Sequence, residues 1–138
     1  MARISLAVAA LLALSIVPGT APVAGHTLNG VTQVSRSRLP VGPIEPGRRV
    51  IVFGSVKGTD PSCWAGQPVE LVRVDPDGAH VVVARDSVEG TGRYWFIRRP
   101  RKPLQLYVRY PGIEAITAEH SHVCTAGASK PVNLRVKK

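Results

Sequence analysis

Two stretches near the C-terminus do most to constrain the fold: "PLQLYVRY" (103–110) and "PVNLRVKK" (131–138). In the first, Leu104, Leu106, Val108 and Tyr110 alternate with Gln105, Tyr107 and Arg109. In the second, Val132, Leu134 and Val136 alternate with Asn133, Arg135 and Lys137. A strict period of two places one set in a core and the other in water, which a helix of 3.6 residues per turn cannot do. Five further runs have the same β-branched and aromatic character: "VTQVSRSRLPV" (31–41), "RRVIVFGSV" (48–56), "PVELVRV" (68–74), "HVVVARDSV" (80–88) and "RYWFI" (93–97). Turn residues separate them at intervals of roughly ten, notably "DPDG" (75–78) and "EGTG" (89–92), the spacing of a sandwich or barrel. Val50, Val52 and Val56 share one face of their run, as do Tyr94 and Phe96 of theirs, with Trp95 opposite. Pro40 and Pro43 suit an edge strand. Gly54 reads as the site of a bulge. The expectation is all-β: a single sandwich of about seven antiparallel strands.

The N-terminus bears on compartment. "MAR" is basic, 4–17 is an unbroken apolar run, and "PGTAPVAG" supplies helix breakers and small residues. That order is the order of a secretory signal peptide. The run is shorter than the roughly 20 residues that span a bilayer. The reading is a leader over 1–24, cleaved between Ala21 and Gly25, and one domain over 25–138 with a weakly ordered start. No later segment is apolar enough to serve as a membrane anchor, so the expected destination is the extracellular space or the cell envelope. Arg3 is the only charge in the leader, so cleavage lowers the net charge of +9 by one. About 110 residues then remain, a size that suits one domain. Such an excess favours anionic surfaces such as wall polymers, phospholipid or polysaccharide. Nucleic-acid binding is not expected from it.

The motifs "PG" (46–47), "GQPVEL" (66–71), "GRYWF" (92–96), "YVRYPG" (107–112) and "SKPVNLRV" (129–136) together resemble bacterial immunoglobulin-like, fibronectin III-like modules of secreted actinobacterial proteins. The likeness covers about Val31 to Lys138. It implies an immunoglobulin-like sandwich serving as a spacer, binding module or adhesion unit. A transthyretin-like or carboxypeptidase-regulatory-like sandwich shares the Gly-x-Tyr-x-Phe stretch and is the alternative fold. The chain departs from the pattern in its two cysteines, its paired histidines and the lack of an attached catalytic domain.

"EHSHVC" (119–124) has two chemical readings. His120, His122 and Cys124 alternate as ligands on one strand face would. Cys124 is also one of only two cysteines, and an exported chain with an even count favours a disulfide to Cys63. If strands alternate in direction, the loops holding Cys63 and Cys124 fall at the same end of the sandwich, and Trp64 could pack over the bridge. Pairing removes the best metal ligand. What remains is a His-x-His at His120 and His122 that could hold copper or zinc weakly. His80, within an alternating run, reads as facing outward. No cofactor is otherwise implied.

Catalytic patterns are missing from the sequence. There is no Gly-x-Ser-x-Gly elbow, no carboxylate pair separable from turn aspartates such as Asp75 and Asp77, and no glycine loop opening a helix. The chain is therefore read as a non-enzymatic, secreted binding module whose end loops meet an extracellular protein or an anionic wall polymer. Candidate contacts are Asp60, Trp64, His120 and His122 at one end, with Arg98, Arg99, Arg101 and Lys102 of "RRPRK" at the other. The rivals are an extracytoplasmic copper- or zinc-binding protein and a structural domain without a ligand.

Overall fold

Each of the seven alternating runs forms a strand. The computed structural model describes residues 28–30, 33–116 and 121–138, without side chains for 28–30, 115–116 and 121–122. The expected leader over 1–24 and His120 lie outside the described residues. In chain order the strands are β1 (Leu28–Gly30), β2 (Gln33–Leu39), β3 (Val50–Lys57), β4 (Pro68–Val74), β5 (His80–Ser87), β6 (Arg93–Arg98), β7 (Leu104–Tyr110), β8 (Ile113–Ile116), β9 (Ser121–Cys124), β10 (Gly127–Ala128) and β11 (Val132–Leu134). The sole helical segment among the described residues is one 3-10 turn, Pro61–Cys63.

Eight of these strands form an antiparallel sandwich. One sheet runs β2-β3-β6, and the other runs β10-β7-β4-β5 with β11 also on β7. The chain leaves the first sheet after β3, makes the β4–β5 hairpin in the second, returns for β6 and crosses again for β7. The apolar sets of both sheets point inward, as alternation requires. Val50, Val52 and Val56 meet Leu71, Leu106, Val108, Tyr110, Val132 and Leu134 in one buried cluster with Tyr94 and Phe96. The "DPDG" turn closes by Gly78 N–H donating to Asp75 O (2.9 Å), and "EGTG" by Gly92 N–H donating to Glu89 O (2.8 Å).

Two local expectations need correction. Gly54 is not at a bulge: it pairs in register with Arg36 on one side and Tyr94 on the other. Its reason is space, since a Cβ there would lie 2.0 Å from Ser35 O and 2.6 Å from the Tyr94 hydroxyl. That hydroxyl donates to Ser35 O, stitching β6 to β2 across the glycine. The irregularity falls instead between Leu71 and Val72, where Val83 of the edge strand β5 is the extra residue. Edges are where bulges are tolerated.

The second correction concerns 111–129, the stretch that the seven-strand reading leaves as a connection between "PLQLYVRY" and "PVNLRVKK". It holds the β8–β9 hairpin and β10, and β9 also pairs in parallel with β1, making a third, small sheet. Cys124 ends β9 and is bonded to Cys63, with Cα atoms 5.5 Å apart. The staple thus ties this small sheet to the 3-10 turn that precedes β4.

Candidate functional site

The loop singled out around Asp60 and Trp64 is occupied largely by structural work. Asp60 caps the 3-10 turn, its Oδ1 accepting from Ser62 N–H at 2.8 Å. The buried Tyr110 hydroxyl donates to Cys63 O, fixing the turn to β7. Trp64 is half-buried against the core cluster that includes both cysteines, as expected of a residue beside the bridge. Its Nε1 is buried without a hydrogen-bond partner among the described residues. His122 lies on β9, where its backbone pairs with Leu28 and Ala115. The disulfide commits the Cys124 sulfur, so the three-ligand reading of "EHSHVC" loses its thiolate. Among the described residues no three metal-ligating side chains come together.

"RRPRK" is a turn at the opposite end. Arg98 still belongs to β6 and sits on its inward side, with Nη1 reaching toward Val83 O at 3.5 Å. Pro100 is buried, and its carbonyl accepts from Gly47 N–H at 2.7 Å. Arg99, Arg101 and Lys102 are exposed. Lys102 stands near enough to Asp75 to add to the effect of Arg73, whose hydrogen-bonded guanidinium is the main reason the Asp75 carboxyl titrates below its usual range. The structure therefore keeps Asp60 and Trp64 at the opposite end of the sandwich from Arg99, Arg101 and Lys102.

What the sequence reading passed over is the outer face of β2-β3-β6. Register places Leu39, Ile51 and Ile97 in one cross-strand row, and Ser37, Phe53 and Trp95 in the next. These side chains point away from the core, on the side opposite Val52, Tyr94 and Phe96. Four of the apolar ones are exposed, Leu39 by 53 %, Phe53 by 36 %, Trp95 by 48 % and Ile97 by 54 %, while the central Ile51 is half-buried. The next row is polar and closed on itself, because Ser35 Oγ and Ser55 Oγ lie 3.0 Å apart and Ser35 Oγ accepts from Ser55 N–H.

Cations flank the apolar rows at both ends. Lys57 and Arg93 follow on the same side along β3 and β6, and Arg49 and Arg99 continue the alternation beyond the other end. All four are exposed, and none is in an ion pair among the described residues. No aspartate or glutamate occurs anywhere in β2, β3 or β6. The available sequence signal was "VIVF" and "YWFI". Both are apolar on two successive parities, where a strand with one wet face should alternate.

The outer face of the second sheet is built differently. Glu70 on β4 accepts from Arg85 Nε of β5 (3.1 Å) and from Arg109 Nε and Nη2 of β7 (2.8 and 2.6 Å). The Arg109 bonds, helped by Arg85, hold the Glu70 carboxyl below its ordinary range against the opposing effect of burial. His80 faces outward as expected, its Nδ1 2.9 Å from the Tyr107 hydroxyl and the rings edge to face. Val72, on this outer side, is only 1 % exposed. No protein-family model and no curated protein matches the chain.

Proposed function

We propose that this chain is an exported, non-catalytic binding module that adheres to an anionic extracellular surface through the outer face of β2-β3-β6. The observation that carries the reading is the pairing of exposed apolar rows with four exposed cations, in no ion pair among the described residues, on or just beyond strands with no acidic residue. Large exposed apolar patches rimmed by polar groups mark interaction sites on folded proteins. A uniformly cationic rim selects for negative charge and repels positive surfaces. The Greek-key crossing of the chain between two sheets supports the immunoglobulin-like resemblance and the role it implies, a module that presents a surface. The disulfide supports an oxidising compartment. The face is preferred to the end loops because Asp60 and Trp64 are engaged in holding the turn before β4.

The test is retention on an immobilised polyanion. Arg93→Gln/Arg99→Gln is expected to elute at clearly lower salt than the parent. A control, Arg101→Gln/Arg135→Gln, removes two exposed charges elsewhere and is expected to shift elution less. Equal shifts would mean that net charge alone drives retention, and the reading would fail.

A further inference from the structure

We infer that the surface met by this face is an anionic lipid bilayer, into whose interface Trp95, Phe53, Ile97 and Leu39 insert while the flanking cations meet phosphates. The inference rests on the reading above and names its target. Three features of the face point to lipid over the other occupants an apolar patch could take.

The first is its composition. Aliphatic side chains (Leu39, Ile51, Ile97) occupy one row and the aromatic pair Phe53 and Trp95 the next. Aromatic platforms alone would suit stacking on a sugar ring, but a sugar also needs acceptors for its hydroxyls, and these strands carry no carboxylate. Aliphatic and aromatic groups mixed, with a half-exposed tryptophan, match the chemistry of the bilayer interface, where an indole ring keeps one side apolar and its N–H wet.

The second is the geometry of charge. Arg49 and Arg99 at one end, with Lys57 and Arg93 at the other, are exposed, and side chains of this kind can lay their apolar stems along an apolar surface while the charged heads reach outward. That arrangement lets apolar groups sink below headgroup level as the cations hold phosphate, the pattern by which peripheral proteins combine apolar burial with attraction to anionic lipid.

The third removes the simplest rival. A two-fold dimer through this face would lay the same patch against itself. Cations at both ends and no acid on the strands would then set like charges together, so a second copy is disfavoured. An acidic, apolar protein segment would satisfy the rim and is separated from lipid by experiment.

The probe is Trp95 itself, since the chain has two tryptophans. Trp64→Phe leaves Trp95 as the sole indole, and Trp95→Phe leaves Trp64. Each purified variant, its N-terminus fixed by intact mass, is mixed with vesicles of phosphatidylglycerol and phosphatidylcholine or of phosphatidylcholine alone. Comparing the two single-indole variants separates contact by the β2-β3-β6 face from any membrane affinity of residues 1–24, which both variants share. Trp95 emission is expected to shift to the blue and to be quenched by brominated acyl chains in anionic vesicles only, while Trp64 emission stays unchanged. Adding Arg93→Gln/Arg99→Gln is expected to weaken the Trp95 response about thirtyfold in apparent affinity, roughly fivefold per charge. An unchanged Trp95 signal with anionic vesicles overturns the inference. If Trp95 then responds to a soluble polyanion or an acidic peptide, the binding-module reading survives with a different target. If it responds to none of these, both fall.

Discussion

The two outer faces of the sandwich differ in how far the fold itself completes them. On β4, β5 and β7, Glu70 is shared by Arg85 and Arg109, His80 meets Tyr107, and Val72 is covered. On β2, β3 and β6, the serines bond one another, while the apolar rows stay open and the cations lack ion-pair partners among the described residues. A face whose polar groups are paired internally has little left to offer another molecule. One that keeps apolar area and like charges exposed retains interaction free energy that only an external surface can satisfy. The contrast supports the proposal that binding falls on a sheet face, while Asp60 and Cys63 of the turn before β4 are tied into the architecture.

The staple at the sandwich end is common to both faces and gives the largest expected effect. Cys63 and Cys124 are 61 residues apart, and a closed loop of that size stabilises by about 4 kcal/mol in the chain-entropy model. Cys63→Ala/Cys124→Ala is therefore expected to lower unfolding free energy by about that amount in urea titration. Under native conditions the folded variant should keep its salt-dependent retention on a polyanion. Loss of retention while the chain remains folded would mean that the disulfide end, and not the sheet face, carries binding.

A matched pair of truncations comes next. Val72→Ala on the closed face removes covered methyl groups and is expected to cost about 2 kcal/mol. Ile97→Ala on the open face is expected to change stability by no more than about 0.5 kcal/mol. Comparable losses at the two positions would show that the β2-β3-β6 face is also packed, and the contrast would break.

Charge on the closed face should register as acid sensitivity. The folded-state pKa of Glu70 lies below its unfolded value, so the unfolded chain takes up the proton first as pH falls. Its contribution is whole above the ordinary glutamate range and is lost as pH drops through the depressed folded value. Glu70→Gln is expected to cost about 1 kcal/mol at pH 7, with the gap to the parent closing below pH 4. A constant gap across that range would mean that Glu70 acts through packing and not through its charge.

The core was legible because alternation is a direct image of the strand pleat. Val50, Val52, Leu106, Val108, Val132 and Leu134 could be placed inward from sequence, and all are buried. The disulfide was legible because strand direction fixes which loops share an end. The β8–β9 hairpin was not, since its strands are four residues each and too short for a period to emerge. Gly112 shows the same limit: at φ +83° a Cβ would stand 2.7 Å from Cys124 O, a close approach that only the folded chain creates. The open face was hidden by a habit of reading. Once Tyr94 and Phe96 are assigned inward, Trp95 and Ile97 look like ordinary outward residues. Only the register with Phe53, Ile51 and Leu39 gathers them into a patch.

Acrylamide quenching of Trp95 in the Trp64→Phe background tests the central claim most directly, because the quencher is neutral and indifferent to the surrounding cations. The account predicts that Trp95 in the isolated protein, 48 % exposed, is readily quenched, and far more readily than Trp64 in the Trp95→Phe background. A shielded Trp95 would mean that the face is already covered, by its own chain or by a second copy, and would contradict the assignment of β2-β3-β6 as the open surface.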